Sequence, residues 1–204
     1  MKTPSIILIA GPSGSGKSTL AKGLGHHLQN TDLSTSVISL DNYYRDLTHL
    51  NKKQRSQHNF DEPDAWEHER IIDDVEKMQR GLKVSIPIYD FNSHLRADRS
   101  KDIAPCATYI FEGLFALCFP ALNRLADLKI YVDLEESIAL SRRILRDSTE
   151  RGRSPESVIK QYEQTVRPAN QNFICPSAKE ADLKVSGKIT LKEQLAALKP
   201  YLKR

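Results

Sequence analysis

Gly11-Pro12-Ser13-Gly14-Ser15-Gly16-Lys17-Ser18 decides how this chain is read. The stretch fits the spacing GxxxxGK[ST]. An apolar run, Ile6-Ile7-Leu8-Ile9-Ala10, stands directly before it, and Leu20, Leu24 and Leu28 recur every four residues after it. The run reads as a strand buried on both faces, and the recurrence as one face of a helix. Glycines let the backbone turn tightly and aim its N–H groups at phosphate oxygens, and the helix N-terminus adds partial positive charge. Lys17 is then placed to reach the β- and γ-phosphates of a nucleoside triphosphate and Ser18 to ligate Mg²⁺, with Thr19 closing the nucleotide-binding stretch. Pro12 stiffens the loop but removes one N–H from it.

Outward from the loop, Thr35–Leu40, Tyr109–Phe111, Leu128–Val132 and Asp182–Ser186 read as further strands. Val84–Phe91 reads as an edge strand, because Pro87 cannot donate to a ladder. Asp64 with Glu67 has the look of a capped helix start, followed by Trp66, Ile71, Val75 and Met78 and ended by Gly81. Asp133 with Glu136 caps a second helix rich in arginine. Ser154-Pro155 opens a third, with Val158, Ile159, Tyr162 and Val166 as its apolar face and Pro168 as its stop. Thr190 and Glu193 form a capping box before Leu191, Leu195, Leu198 and Leu202. Asn42 to Asn59 is polar and reads as a loop or a short surface helix. Strands alternating with helices predict a three-layer α/β fold with a mostly parallel sheet.

Composition narrows the class. Leu, Ile, Val and Phe supply 52 of the 204 residues, enough for a real core. The longest apolar run, Gly113–Leu122, falls well short of the roughly 20 residues of a membrane helix. Ile6–Ala10 is too short for a signal-peptide core, so a cytoplasmic protein is expected. Cys106, Cys118 and Cys175 are widely spaced, which argues against a disulfide framework or a zinc site. A net charge of +4 suits an anionic ligand as well as nucleic acid and decides nothing alone.

The loop belongs to several kinds of nucleotide-binding protein. No aspartate stands three residues before any glycine, so the DxxG of a GTPase switch is missing, and Asn51-Lys52-Lys53-Gln54 lacks the aspartate of NKxD. A transfer enzyme needs instead a carboxylate that accepts a proton from the attacking hydroxyl. Asp41, directly after the second strand, is well placed for that, its alternative being a turn or helix cap. Glu112 ends another strand and suits Mg²⁺ or its water shell; a surface ion pair is its plainer reading. Arg142, Arg143, Arg146, Arg151 and Arg153 make an anion clamp suited to a transferring phosphoryl group, and Gly152 lets the segment bend as a lid. A solvated face, part-neutralised by Asp147 and Glu150, is the alternative for that stretch.

Further segments in the same order carry a resemblance. Asp41-Asn42-Tyr43-Tyr44, Asn59-Phe60-Asp61-Glu62-Pro63-Asp64-Ala65, Pro87-Ile88-Tyr89-Asp90-Phe91 with His94 and Arg96, Phe111-Glu112-Gly113, Arg143–Asp147 with Glu150–Arg153, Gln161-Tyr162, and Thr165–Pro168 together resemble the uridine kinase (uridine–cytidine kinase) family, within the wider phosphoribulokinase/uridine kinase group. The resemblance runs from Ile6 to about Ser186; the tail after Gly187 departs from it. It implies a single domain over 1–204 with a five-stranded sheet, a substrate-binding hairpin over about 82–107 and a lid over about 142–156. The implied reaction passes the γ-phosphoryl of ATP or GTP to the 5′-hydroxyl of uridine or cytidine. Asp41 would be the base. Asp61 would hold the ribose 2′- and 3′-hydroxyls with help from Arg143. Tyr44 belongs to the acidic-aromatic segment, and Phe60, Tyr89 and Phe91 would enclose the base, with Tyr89 and His94 on its edge. Arg151, Arg153 and Gln161 would close over substrate, and Lys17 with the lid arginines, Arg146 and Arg151 foremost, would stabilise the transition state. Mg²⁺ would sit on Ser18 and Glu112. A pyrimidine nucleoside is the implied partner, neither nucleic acid nor membrane is, and a homo-oligomer, dimer or tetramer, is compatible. The competing readings are a related kinase of another alcohol, a regulatory nucleotide binder, and a nucleic-acid module using the basic stretch.

Overall fold

The computed structural model describes residues 3–56, 58–91 and 93–202. Its strands are β1 (Ser5–Ala10), β2 (Thr35–Ser39), β3 (Val84–Asp90), β4 (Leu95–Ile103), β5 (Thr108–Glu112), β6 (Leu128–Asp133) and β7 (Leu183–Ser186). Five of them form one sheet in the order β2-β5-β1-β6-β7. Every pair in it is parallel, with Ile7 opposite Ile110 and Leu128, and Val37 opposite Ile110. Parallel strands bring all their C-terminal ends to one edge of the sheet, where a ligand can be met by several loops at once.

The helices are α1 (Lys17–Gln29), α2 (Lys52–Ser56), α3 (His68–Gln79), α4 (Pro120–Leu125), α5 (Glu136–Glu150), α6 (Pro155–Gln161), α7 (Arg167–Ala169), α8 (Cys175–Ser177) and α9 (Leu191–Leu198). Side chains alternate across β1, and this splits the core. Ile7 and Ile9 pack with Leu20, Leu24 and Leu198 of α1 and α9. Ile6 and Leu8 pack with Phe111, Trp66 and the Ile71-Val75-Met78 face of α3. Each such fully buried side chain contributes roughly 1.5–3 kcal/mol over an exposed one. Helices thus cover both faces of a five-stranded parallel sheet, the three layers expected. Among the described residues no helix is long and apolar enough to cross a membrane.

Val84–Asp90 is an edge strand as expected: it pairs antiparallel with β4 in a two-stranded hairpin apart from the main sheet, with a bulge between Pro87 and Tyr89. Three local expectations are corrected. The helix expected from Asp64 begins at His68. Pro63–Ala65 is a tight 3₁₀ turn, and Trp66 is extended, bridged to Tyr44. Asp133 does not cap α5: Glu135 holds the cap position with no side-chain hydrogen bond, and the Asp133 carbonyl accepts from Gly187 N instead. Pro168 does not stop its helix. A π turn over Tyr162–Val166 precedes α7, and a second over Asn170–Ile174 precedes α8 with Pro176. A proline ring clashes with the carbonyl four residues back, and the wider π turn moves that carbonyl away. Ser154 does accept from Ser157 N, and the Thr190–Glu193 capping box is formed.

Candidate active site

The loop between β1 and α1 turns on its glycines. Gly16 precedes α1 at φ 95°, and Gly14 lies at φ 84°, where a Cβ would stand 2.4 Å from the Ala139 carbonyl oxygen. Only glycine takes that backbone at that distance. Ser15 N donates to Pro12 O at 3.1 Å and closes the turn. The Lys17 side chain is buried, and burial lowers its pKa against the opposing pull of Glu112 and Asp41. A buried ammonium in front of a phosphate-sized loop is short of counter-charge, and an anion would supply it.

Ser18 follows directly and donates through Oγ to Glu112 Oε2 at 2.9 Å. Glu112 ends β5, so the sheet itself brings these residues together across 94 positions of sequence. A hydroxyl and a carboxylate side by side are hard oxygen donors, and they fit Mg²⁺, which binds through one or two protein oxygens plus phosphates.

Asp41 sits in a 3₁₀ turn, Leu40–Tyr43, that continues β2 one residue earlier than the expected strand end. Its Oδ1 is shielded from solvent and has no hydrogen-bond partner. Burial first and the nearby Glu112 second push its pKa up to about 6, against the pull of Lys17. A carboxylate poised near neutrality suits proton abstraction.

Beside it stands an aromatic wall. The Phe60 and His94 rings stack at 4.8 Å and 16°. Tyr89 meets Tyr44 at 5.1 Å and Phe91 at 5.3 Å. The Tyr89 hydroxyl is buried and unpartnered. Tyr44 is buried: it packs edge-on against Phe60 and Trp66 and forms the back of the wall. His94 has φ 55°, unusual for a non-glycine residue, and burial, then Arg153 and Arg151, lower its pKa. Asp61 is buried, its backbone N–H donating to Asn59 Oδ1 and its Oδ2 accepting from Thr165 at 2.6 Å. Sequence reasoning gave Thr165 no role beyond its place in the Thr165–Pro168 segment, and no spacing across the 104 positions to Asp61 could have revealed the pair.

The lid arginines converge on one residue. Asp147 is fully buried, with Arg146 at 2.8 Å, Arg151 at 3.5 Å, Arg143 at 3.6 Å and Arg153 at 3.7 Å. Arg146 also reaches Ser13 Oγ of the loop at 3.3 Å. Arg143 and Arg153 both donate to Gln161 Oε1, at 3.0 and 2.5 Å. Arg151 lies over the Phe91 ring at 4.9 Å. Arg142 is not part of this group: it donates to Gly187 O at 3.0 Å and ties α5 to the loop after β7. Loop, turn, wall and arginine cluster therefore meet at one end of the sheet. Phosphate oxygens fit the first and last, and a hydroxyl-bearing ring molecule fits the middle two.

Comparison with known proteins agrees. The model of the phosphoribulokinase/uridine kinase family matches residues 6–191. The uridine kinase of Staphylococcus aureus strain JH9 is 40% identical over 183 residues, covering 90% of this chain and 87% of that one. Among solved structures, phosphoribulokinase from Rhodobacter spheroides superposes with a TM-score of 0.71 at 18% identity, over 91% of this chain and 71% of its own. A possible uridine kinase from Bacillus stearothermophilus gives 0.57 at 17% identity, over 90% and 89%. At such identities the two structures speak for the fold alone.

Proposed function

Since the chain belongs to the phosphoribulokinase/uridine kinase family, and so among the kinases, we propose that it transfers the γ-phosphoryl of ATP or GTP to the 5′-hydroxyl of uridine and cytidine, giving UMP and CMP. The observation that carries the acceptor side is the unpartnered Asp41 carboxylate oxygen, buried beside an aromatic wall that ends in the equally unpartnered Tyr89 hydroxyl. A flat base stacks on such a wall, and its polar edge answers Tyr89 and His94. An aliphatic or phosphorylated acceptor has no use for either. Asp61 and Arg143 hold the ribose hydroxyls, and Arg153 and Gln161 close over them. On this reading the whole chain works as one domain, with about 82–107 as substrate hairpin and about 142–156 as lid.

The loop residues Gly11, Pro12, Ser13, Gly14, Ser15 and Gly16 cradle the donor phosphates with their backbone, with Thr19 beside them, and Lys17 spans the outer two. Ser18 and Glu112 would hold Mg²⁺, which supplies positive charge to the phosphate oxygens. Asp41 takes the proton of the 5′-hydroxyl as its oxygen bonds to the γ-phosphorus. The bond from that phosphorus to the bridging oxygen breaks, and the nucleoside diphosphate leaves. Arg146 and Arg151 face the charge that spreads over the transferring group. The same proposal takes the enzyme to be cytoplasmic, and it is compatible with a homo-oligomer, dimer or tetramer; light scattering on the purified chain decides the oligomeric state.

The test is diphosphate release from Mg-ATP and Mg-GTP against uridine, cytidine, adenosine, guanosine, thymidine, ribulose 5-phosphate, pantothenate and no acceptor. Turnover confined to uridine and cytidine is expected. Turnover on another acceptor, with none on the pyrimidine nucleosides, overturns the substrate assignment and leaves the phosphate chemistry standing.

A further inference from the structure

Asp147 has no part in the mechanism above, yet it is the most thoroughly enclosed charge of the site. Its Oδ1 takes the short contacts, Arg146 at 2.8 Å and Arg151 at 3.5 Å; its Oδ2 faces Arg143 and Arg153 and accepts no hydrogen bond. The backbone joins in, since Arg153 N donates to Asp147 O at 3.1 Å across Gly152, which holds φ 62°. The turn that carries the last two arginines is thus folded onto the residue that neutralises them. The four guanidiniums then point at different parts of the site: Ser13 of the phosphate loop, Gln161 and the Phe91 ring. A phosphate that engages Arg146 or Arg151 must share that guanidinium with Asp147 Oδ1 or displace it.

We propose that Asp147 is the positioning residue of the lid: a buried counter-charge that gathers four arginines over the phosphate loop and, by competing with phosphate for them, sets how tightly the site holds an anion. The inference rests on the reading of loop and lid as a phosphate site, though not on the identity of the acceptor. One carboxylate among four guanidiniums leaves the cluster net positive, so it still attracts phosphate, but less strongly than four uncompensated charges would. Moderate grip serves turnover, because the diphosphate product has to leave.

Asp147→Asn keeps the shape and the Arg153–Asp147 backbone bond and removes the charge. Calorimetry with inorganic triphosphate is expected to show binding tightened on the order of tenfold, the size usual for two coupled sites, while kcat falls and the KM for Mg-ATP falls with it. Asp147→Glu restores the charge and returns the triphosphate affinity toward wild type. General damage to the fold would weaken binding and raise KM instead. A folded Asp147→Asn chain with unchanged or weaker triphosphate affinity overturns the proposal, even if the wild type phosphorylates uridine. Tightened binding in a chain whose wild type ignores uridine leaves the proposal standing and removes only the acceptor. Should Asp147→Asn not fold, the arginine Nε–H resonances of the wild type carry the test. Triphosphate must move those of Arg146 and Arg151, and unmoved signals overturn the exchange of partners.

Discussion

The role proposed for Asp41 rests on one buried, unpaired oxygen, Oδ1, at the turn after β2. Its pKa, raised from an ordinary 3.8 to about 6 chiefly by burial, has two consequences. The first is kinetic. The base works only when ionised, so kcat/KM is expected to fall about tenfold per pH unit below about pH 6, read from a pH–rate profile. Asp41→Asn removes the base and lowers kcat by about 10²–10⁴-fold while nucleoside binding stays largely intact; a near-normal kcat would reject the role. The second is thermodynamic. Between pH 3.8 and about 6 the folded chain keeps a proton that the unfolded chain has released, so the stability held below this window is lost as pH rises through it. Asp41→Asn therefore gains stability over wild type at pH 8, and the gain fades toward pH 4, which thermal melts at the two pH values read directly. His94 makes a narrower claim. Its imidazole is stacked on Phe60 and kept from charging by burial and by Arg153 and Arg151. His94→Ala is expected to raise the KM for uridine and cytidine about tenfold, as for loss of one well-placed contact, and to leave the KM for ATP unmoved.

At the scale of elements, the turn Leu40–Tyr43 is what aims Asp41, and Tyr43 fixes it. The Tyr43 ring is fully buried, and its hydroxyl donates to Asp74 Oδ2 of α3 at 2.9 Å. Asp74 is itself buried, and burial raises its pKa. Tyr43→Phe leaves that carboxylate short of a donor and is expected to cost about 1–3 kcal/mol in urea unfolding. Adding Asp74→Leu removes the stranded acceptor and recovers part of the loss; no recovery would mean that the pair holds nothing. Which elements the sequence could reveal follows from the same physics. The central strands β1 and β5 were legible because they are buried on both faces, and β2 and β7 at the sheet's edges because a short apolar pair, Val37-Ile38 or Leu183 with Val185, stands between polar residues. Strand β4 was not legible from pattern, since Asp98, Arg99, Lys101 and Asp102 face water on an exposed hairpin and break any alternation; only the resemblance suggested a hairpin there. The continuation through Pro168 was hidden because π turns have no periodicity of their own. The aromatic wall was legible only through the resemblance, which groups Phe60, Tyr89 and Phe91 around one ring; that Tyr44 closes its back from within the core follows from packing that no motif spells out. The convergence on Asp147 was hidden most fully. In sequence Arg143 and Arg151 each stand four residues from Asp147, an ordinary spacing, while Arg153 reaches the same carboxylate only after the chain has turned at Gly152.

The molecule as a whole joins a rigid sheet to two attachments. The sheet and its helices bury an apolar core on each face, and the base of the β3–β4 hairpin joins one of them through Val84, Ile86, Tyr89 and Ile103; the hairpin's far end and the arginine stretch are fastened mainly by polar contacts. The hairpin hangs on Tyr89 N donating to Asn42 Oδ1 at 3.2 Å, Arg96 Nε donating to Tyr44 O at 3.1 Å, and Arg96 paired with Glu67 at 2.7 Å. Asn42 lies within the Asp41 turn and Tyr44 directly after it, so the hairpin cannot move without pulling on Asp41. The lid touches the hairpin where Arg151 covers Phe91. Segments held by few apolar contacts open locally at low free energy, whereas core strands open only with the whole fold. Substrates that engage the hairpin by their base and the lid by their phosphates would bridge the two attachments and hold both shut. Hydrogen exchange is therefore expected to slow by tenfold or more over 84–103 and 142–156 when Mg-ATP and uridine are added together, in catalytically dead Asp41→Asn so that the complex persists. Either ligand alone protects mainly its own half, and β1, β5 and β6 stay slow throughout. Protection that is equally large with ATP alone, or that spreads evenly over the sheet, would mean that hairpin and lid do not close as a pair around the acceptor.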